Sequence, residues 1–124
     1  MGRYEEFTKF RQDMNKKILE QGTFEIKRFF GIDERAYHAG ILDAKTKELM
    51  GLAASLVLRC DDCVNYHIVQ ALDKGATNGE LFETFTVSLV VGGSIVIPHL
   101  RRAVAFLEEM GERIGASSGA GSKG

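Results

Sequence analysis

The sequence predicts an all-helical fold, a compact single-domain bundle of about five to seven helices, on three observations. Apolar residues recur at spacings of three and four through most of the chain. Helix-start signals precede these stripes at Asp43, within Arg59-Cys60-Asp61-Asp62, and at Thr77. No strand pattern of period two holds up along the chain, and there is no internal repeat.

In chain order, Phe7, Phe10, Met14 and Ile18 form one amphipathic stripe, a covering helix that stops near Gly22. The following stretch, TFEIKRFFGIDERAYHAG, fits both periods, since Phe24, Ile26, Phe30 and Ile32 alternate while Ile26, Phe29 and Phe30 share a helical face; short helical pieces are expected. Asp43 caps a helix from 44 to about 58, with Leu49, Leu52, Ala53, Leu56 and Val57 on its apolar stripe. After the break at Arg59-Cys60-Asp61-Asp62, Val64, Ile68, Ala71 and Leu72 trace the next helix to Gly75. Thr77-Asn78-Gly79-Glu80 has the form of a capping box and launches a helix through Leu81, Phe85, Ser88 and Leu89 to Gly92-Gly93. The run from Val87 to Ile97 is apolar on every side and should be buried against protein. Pro98 suits the first turn of a last helix with Leu100, Ala103, Val104, Leu107 and Met110 inward. The domain is expected to span 1–114, and the Gly/Ser-rich tail, 115–124, to be disordered.

Composition narrows the function classes. The 124 residues hold 16 Lys and Arg against 17 Asp and Glu, scattered without blocks, so neither a nucleic-acid face nor a charged tail is expected. No apolar run is long enough for a membrane span, and MGRYEEFTKF lacks the apolar core of a signal peptide, which points to a cytoplasmic protein. In such a compartment a C-x-x-C is usually a redox or metal motif.

That motif lies in ELMGLAASLVLRCDDCVNYH, Glu48 to His67. Cys60 and Cys63 are three apart and Cys63 and His67 four apart, so on one helix they share a stripe. A thiol attacks as thiolate, which a helix N-terminus and a neighbouring base both favour, and Cys63 has both. His67 can take the thiol proton directly or through water, and Glu48 can orient that imidazole or pass the proton on. Asp61 and Asp62 oppose this by placing negative charge beside the sulfurs. If one sulfur becomes a sulfenic acid, a second thiol three residues away can condense with it to a disulfide and prevent irreversible oxidation.

Other readings compete. A closed zinc site needs four ligands, so His38 or His99 would have to join Cys60, Cys63 and His67 from far along the chain, and no metal is assigned. Haem attachment would need histidine where Val64 stands, and a thioredoxin-type motif would need a βαβ setting. From spacing alone Glu48 reads as a solvated helix charge, His38 as a loop or helix-end residue and His99 as a surface or interface histidine. Gly92-Gly93 reads as close helix packing rather than a phosphate loop.

The run from Leu42 to Gly79 resembles the core of the carboxymuconolactone decarboxylase superfamily, and E-x11-C-x2-C-x3-H at Glu48, Cys60, Cys63 and His67 resembles its alkylhydroperoxidase D branch. The apolar helix and VGGSIVIPHLRRA after it are similar to small single-domain members. The resemblance implies an all-helical fold, assembly into rings or hexamers, and a thiol-dependent peroxidase or disulfide reductase needing no bound cofactor. It implies Cys63 as the peroxidatic cysteine, Cys60 as the resolving one, and Glu48 with His67 as the proton relay. The family's peroxidase carries a second histidine just before its second motif cysteine; here that position is Asp62, which weakens the relay. The expected partners are a peroxide or disulfide substrate, a dithiol reductant and further copies of the chain. A lyase using His67 and Glu48 as acid and base, or a non-enzymatic redox-sensing assembly, are the alternatives.

Overall fold

The computed structural model describes residues 2–118, with side chains through residue 111. The described residues form six α-helices and one short 3-10 turn, with no strand. The all-helical expectation is therefore met. The span read as one domain contains two compact units, Met1–His38 and Ala39–Gly124.

The first unit holds α1, Arg3–Gln21, and α2, Phe24–Ala36. Where separate pieces were expected after Gly22, α2 is one continuous helix. Thr23 supplies the reason for its start: the Thr23 hydroxyl accepts the Ile26 backbone N–H at 3.2 Å, capping a segment whose helical face then wins over the alternating pattern. Neither helix has a buried side chain, so the stripe expected to act as a cover leaves Phe10 exposed, as α2 leaves Phe24, Phe29 and Ile32.

The second unit is built from α3, Ala44–Val57; α4, Asp61–Asp73; α5, Asn78–Gly92; the 3-10 turn Ser94–Val96; and α6, Ile97–Ser118. Each start has a local cause. Asp43 accepts the Thr46 backbone N–H at 2.8 Å, which also holds the Asp43 carboxyl below its ordinary range. Thr77 and Glu80 complete the capping box reciprocally, at 3.1 and 2.9 Å. Glu80 also receives Lys45 Nζ at 2.9 Å, which ties the start of α5 to the start of α3.

The core lies between α3, α4, α5 and α6, where Leu52, Leu56, Ile68, Leu81, Phe85 and Phe106 are completely or almost completely shielded. Phe106 lies outside the stripe read for the last helix, because the inner face of α6 is rotated to take Ala103, Phe106, Leu107 and Met110 together. Ser88 is enclosed with them, and its hydroxyl lies 3.1 Å from the Ala53 carbonyl of α3 and 3.2 Å from the Thr84 carbonyl of its own helix.

Two segments show more than their patterns suggested. The run from Val87 to Ile97 is interrupted at Gly93 and only partly covered: Val96 is buried, but Val87, Val90, Val91 and Ile95 are exposed, Val90 to 80%. The core takes one face of α5, at Leu81, Phe85 and Ser88, and no element of the described chain covers the opposite one. The backbone of α6 also runs past residue 114 to Ser118, since extending an existing helix needs no new nucleus. The rest of the expected tail lies outside the described residues.

The turn from α3 to α4 is short. Leu58 is the C-cap of α3 and Arg59 adopts a left-handed conformation, φ 60°. Its N–H donates to the Leu56 carbonyl at 3.0 Å, and the Cys60 N–H to the Ser55 carbonyl at 3.0 Å, a Schellman arrangement. The end of α4 repeats it, with Gly75 N–H on the Leu72 carbonyl and Ala76 N–H on the Ala71 carbonyl, but there the left-handed residue is glycine, φ 93°. An arginine in this conformation carries a steric cost that glycine does not. Arg59→Gly should therefore raise stability by about 0.5–1 kcal/mol, the steric relief exceeding the extra backbone entropy of glycine. Thermal unfolding of the oxidised protein checks it, with an expected rise in midpoint of a few degrees.

Candidate functional site

Because the turn spends only Leu58 and Arg59, Cys60 follows α3 immediately and is at once the N-cap of α4. Its Sγ accepts the Cys63 backbone N–H at 3.2 Å, occupying the place that an oxygen usually takes at a helix start. Cys60 and Cys63 are joined as a disulfide with their Cα atoms 5.3 Å apart, within the ordinary range for such a bond. Both cysteines are half-buried, so the bridge lies at the boundary between core and solvent.

One turn further along α4, His67 points inward and meets Glu48 of α3, Nδ1 to Oε1, at 2.8 Å. Both are buried, Glu48 at 3% exposure and His67 at 7%. Against an ionised carboxylate, which can only accept, the imidazole would carry its hydrogen on Nδ1 and leave Nε2 as its basic nitrogen. Glu48 is thus a buried, partnered carboxylate rather than the solvated charge that its spacing alone suggested.

Space for the ring comes from Gly51, three residues after Glu48 on the same face of α3. A Cβ there would stand 2.6 Å from Cε1, 2.7 Å from Nε2 and 2.9 Å from Nδ1 of His67. Sequence reasoning passed over Gly51. Its signal was an isolated glycine inside a strong helical pattern, a residue tolerated there only for a packing or functional reason.

A second cluster begins at the residue that follows Cys60. Asp61, the first residue of α4, receives the Arg102 Nε–H on Oδ2 at 2.8 Å and lies 2.7 Å from His99 Nδ1 through Oδ1. Desolvation pushes the Asp61 carboxyl upward, but the hydrogen bonds from His99 and then Arg102 outweigh it, and the group is held below its ordinary value. The negative charge expected to oppose thiolate formation is therefore paired at Asp61, while Asp62 is exposed. His99, read as a surface or interface residue, is a half-buried partner of Asp61. His38 belongs to the other unit, just past α2, where its N–H donates to the Arg35 carbonyl. Among the described residues no group of three or more His, Cys, Asp or Glu is arranged to hold a metal ion. No described helix is long and apolar enough to cross a membrane.

The close approach at Gly51 sets a test of sign. In an open helix interior Gly→Ala adds about 0.5–1 kcal/mol of stability. Here the new methyl must displace the imidazole from its bond to Glu48, so Gly51→Ala should lower the thermal midpoint instead of raising it, and the His67 Nδ1–H resonance should move toward that of an unbonded imidazole.

Comparison with known proteins places this geometry. A crystal structure from Thermotoga maritima superposes with a TM-score of 0.89 at 56% identity, over 91% of this chain and 99% of the other. A second crystal structure of the same Thermotoga protein, described as a carboxymuconolactone decarboxylase family protein with a suggested involvement in antioxidative response, gives a TM-score of 0.84 at 54% identity, over 92% of this chain and 95% of the other. A carboxymuconolactone decarboxylase family protein of Legionella pneumophila is 26% identical with a TM-score of 0.79, covering 86% of this chain and 96% of its own. An uncharacterised protein of Cupriavidus necator is 33% identical over 82 residues, 66% of this chain and 73% of the relative. The model of the carboxymuconolactone decarboxylase family matches residues 26–109, which include α3, α4 and α5 whole, and the chain belongs to that family.

Proposed function

We propose that the protein is a thiol-dependent peroxidase or disulfide oxidoreductase of the alkylhydroperoxidase D type, cycling through the Cys60–Cys63 pair. The observation that carries this reading is the buried hydrogen bond from Glu48 of α3 to His67 of α4, the helix whose start holds the disulfide. The antioxidative role suggested for the Thermotoga protein supports it. An intact cysteine pair favours redox chemistry over a lyase, which would use Glu48 and His67 but has no need of the disulfide.

In the forward half-reaction the Cys63 thiolate attacks one peroxide oxygen, the O–O bond breaks, and the leaving alkoxide or hydroxide takes a proton. The sulfur is left as a sulfenic acid. His67, held by Glu48, accepts the thiol proton at Nε2 and is positioned to return it to the leaving group. Cys60 then attacks the Cys63 sulfur, water departs, and the disulfide forms. A dithiol reductant restores both thiols by exchange, becoming a disulfide itself. Asp62, standing where the peroxidase branch carries a second histidine, supports a slower rate of peroxide attack.

The exposed apolar residues support self-association. Met50 and Leu58 of the α3 region, the latter 76% exposed, and Val87, Val90, Val91 and Ile95 are large apolar side chains left in water, the run of four lying close together in sequence. Copies of the chain would cover them, most simply as dimers that associate into a hexamer. Sedimentation equilibrium at micromolar concentration should show a closed oligomer, and a stable monomer would overturn this assignment.

The activity is tested by peroxide consumption with added dithiol. Cys63→Ser should abolish turnover, whereas Cys60→Ser should consume about one equivalent of peroxide and stall as a sulfenic acid that a trapping reagent labels. Glu48→Gln should keep both thiols but slow the attack by about 100-fold, with the pH optimum displaced upward. Absence of peroxide consumption and of sulfenic label in every form of the protein would return the choice to the lyase or the redox sensor.

A further inference from the structure

Asp61 sits between the two cysteines in sequence and at the start of α4 in space, yet both of its carboxylate oxygens are turned to α6. Oδ1 meets His99 and Oδ2 meets Arg102, while Arg102 Nη2 lies 3.2 Å from His99 Nδ1. These residues are forty or so positions away in sequence, and the proposed peroxide chemistry uses none of them. Two properties make the arrangement more than a surface ion pair. Arg102 approaches through Nε with the neighbouring imidazole on the same carboxylate, so one charge is met from two sides. The cluster is also attached to the residue directly following Cys60, the helix cap, so a change in its charge is felt within one helical turn of both sulfurs.

We infer that Arg102, assisted by His99, is a positioning residue that acts through Asp61 to set the balance between the disulfide and dithiol forms of the Cys60–Cys63 pair. The inference rests on the redox reading of that pair. Reduction by a dithiol breaks the Cys60–Cys63 S–S bond and delivers two electrons. The reductant becomes a disulfide and gives up two protons, which the two sulfurs take up, or Cys63 remains a thiolate and its proton passes to His67 or solvent. Negative charge thus develops at the start of α4 in the reduced form and not in the disulfide. An unpaired Asp61 carboxylate would disfavour that form, and Arg102 removes the penalty by holding a positive charge on it. Arg102 shifts the pair toward easier reduction, as any group that stabilises the reduced thiolate does.

A purely structural tether predicts something different. If the cluster only fastened α4 to α6, losing either partner would have the same effect. On the electrostatic assignment the two losses act in opposite directions: Arg102→Gln leaves the carboxylate uncompensated and makes the disulfide harder to reduce, while Asp61→Asn leaves the guanidinium and makes it easier.

The experiment equilibrates the intact protein with defined ratios of reduced and oxidised dithiothreitol and counts free thiols by alkylation and mass measurement. For Arg102→Gln the equilibrium constant should fall about threefold to tenfold, tenfold being about 30 mV for a two-electron couple. For Asp61→Asn it should rise, and Arg102→Lys should restore most of the wild-type value. Equal values for wild type and Arg102→Gln, or shifts of the same sign in Arg102→Gln and Asp61→Asn, would overturn the inference while leaving the redox reading intact. A wild-type pair that does not exchange reversibly with the dithiol would overturn the redox reading itself. Arg102 is 58% exposed at its side chain, so its replacement leaves the core untouched, and unchanged helical circular dichroism verifies this for each variant.

Discussion

A carboxylate and an imidazole removed from water must satisfy each other, and the bond between Glu48 and His67 is the constraint around which this chain is built. It crosses from α3 to α4 and so fixes how far one helix is rotated against the other. Leu52 and Leu56 lie on the faces of α3 next to Glu48, and Val64 and Ile68 on those of α4 next to His67, so the polar contact and the apolar core specify the same alignment. Gly51 supplies the room that this closeness requires, at the expense of helix propensity. Local preference yields to site geometry at that position, as it does at Arg59, where a left-handed backbone is kept without glycine.

The proposed chemistry draws on the same geometry. A relay through His67 needs a nitrogen free of the hydrogen that Glu48 holds in place, and a sulfur pair needs a position where bond making does not disturb the core. The N-terminal turn of α4 meets both needs, since it adjoins the buried imidazole while its cap remains near solvent. Asp61, the residue after that cap, has both carboxylate oxygens engaged by His99 and Arg102 of α6.

Much of this was legible beforehand. Asp43 and Thr77 fixed where α3 and α5 begin, because a cap is a local bond between residues three apart; Cys63 and His67 share α4 as their spacing suggested, while Cys60, expected on the same helical stripe, is the extended cap residue before it. Glu48 was harder, since a lone glutamate on a helix is usually solvated; only a family resemblance raised it. The unity of α2 was hidden because its apolar residues fit two periods, and Thr23, which resolves them, precedes the stripe. The pairing of Asp61 with His99 and Arg102 could not be read, because nothing local connects residues that far apart. For a related reason the run from Val87 to Ile97 could be read as needing cover, which this chain alone gives only in part, but not as to which molecule provides the rest.

The turn of Leu58 and Arg59 also bears on how such a chain can vary. Between Glu48 and His67 every residue belongs to a helix, a cap or that turn, and the span has no slack. Adding or removing one residue within α3 or α4 would rotate all that follows by about 100°, carrying Glu48 and His67 to different sides and turning core leucines outward. Length change in descendants should therefore be excluded from this stretch and confined to places such as 39–42 or beyond the last helix, while single substitutions accumulate freely on its outer face. The spacing from glutamate to histidine acts as a ruler that cannot be altered by degrees.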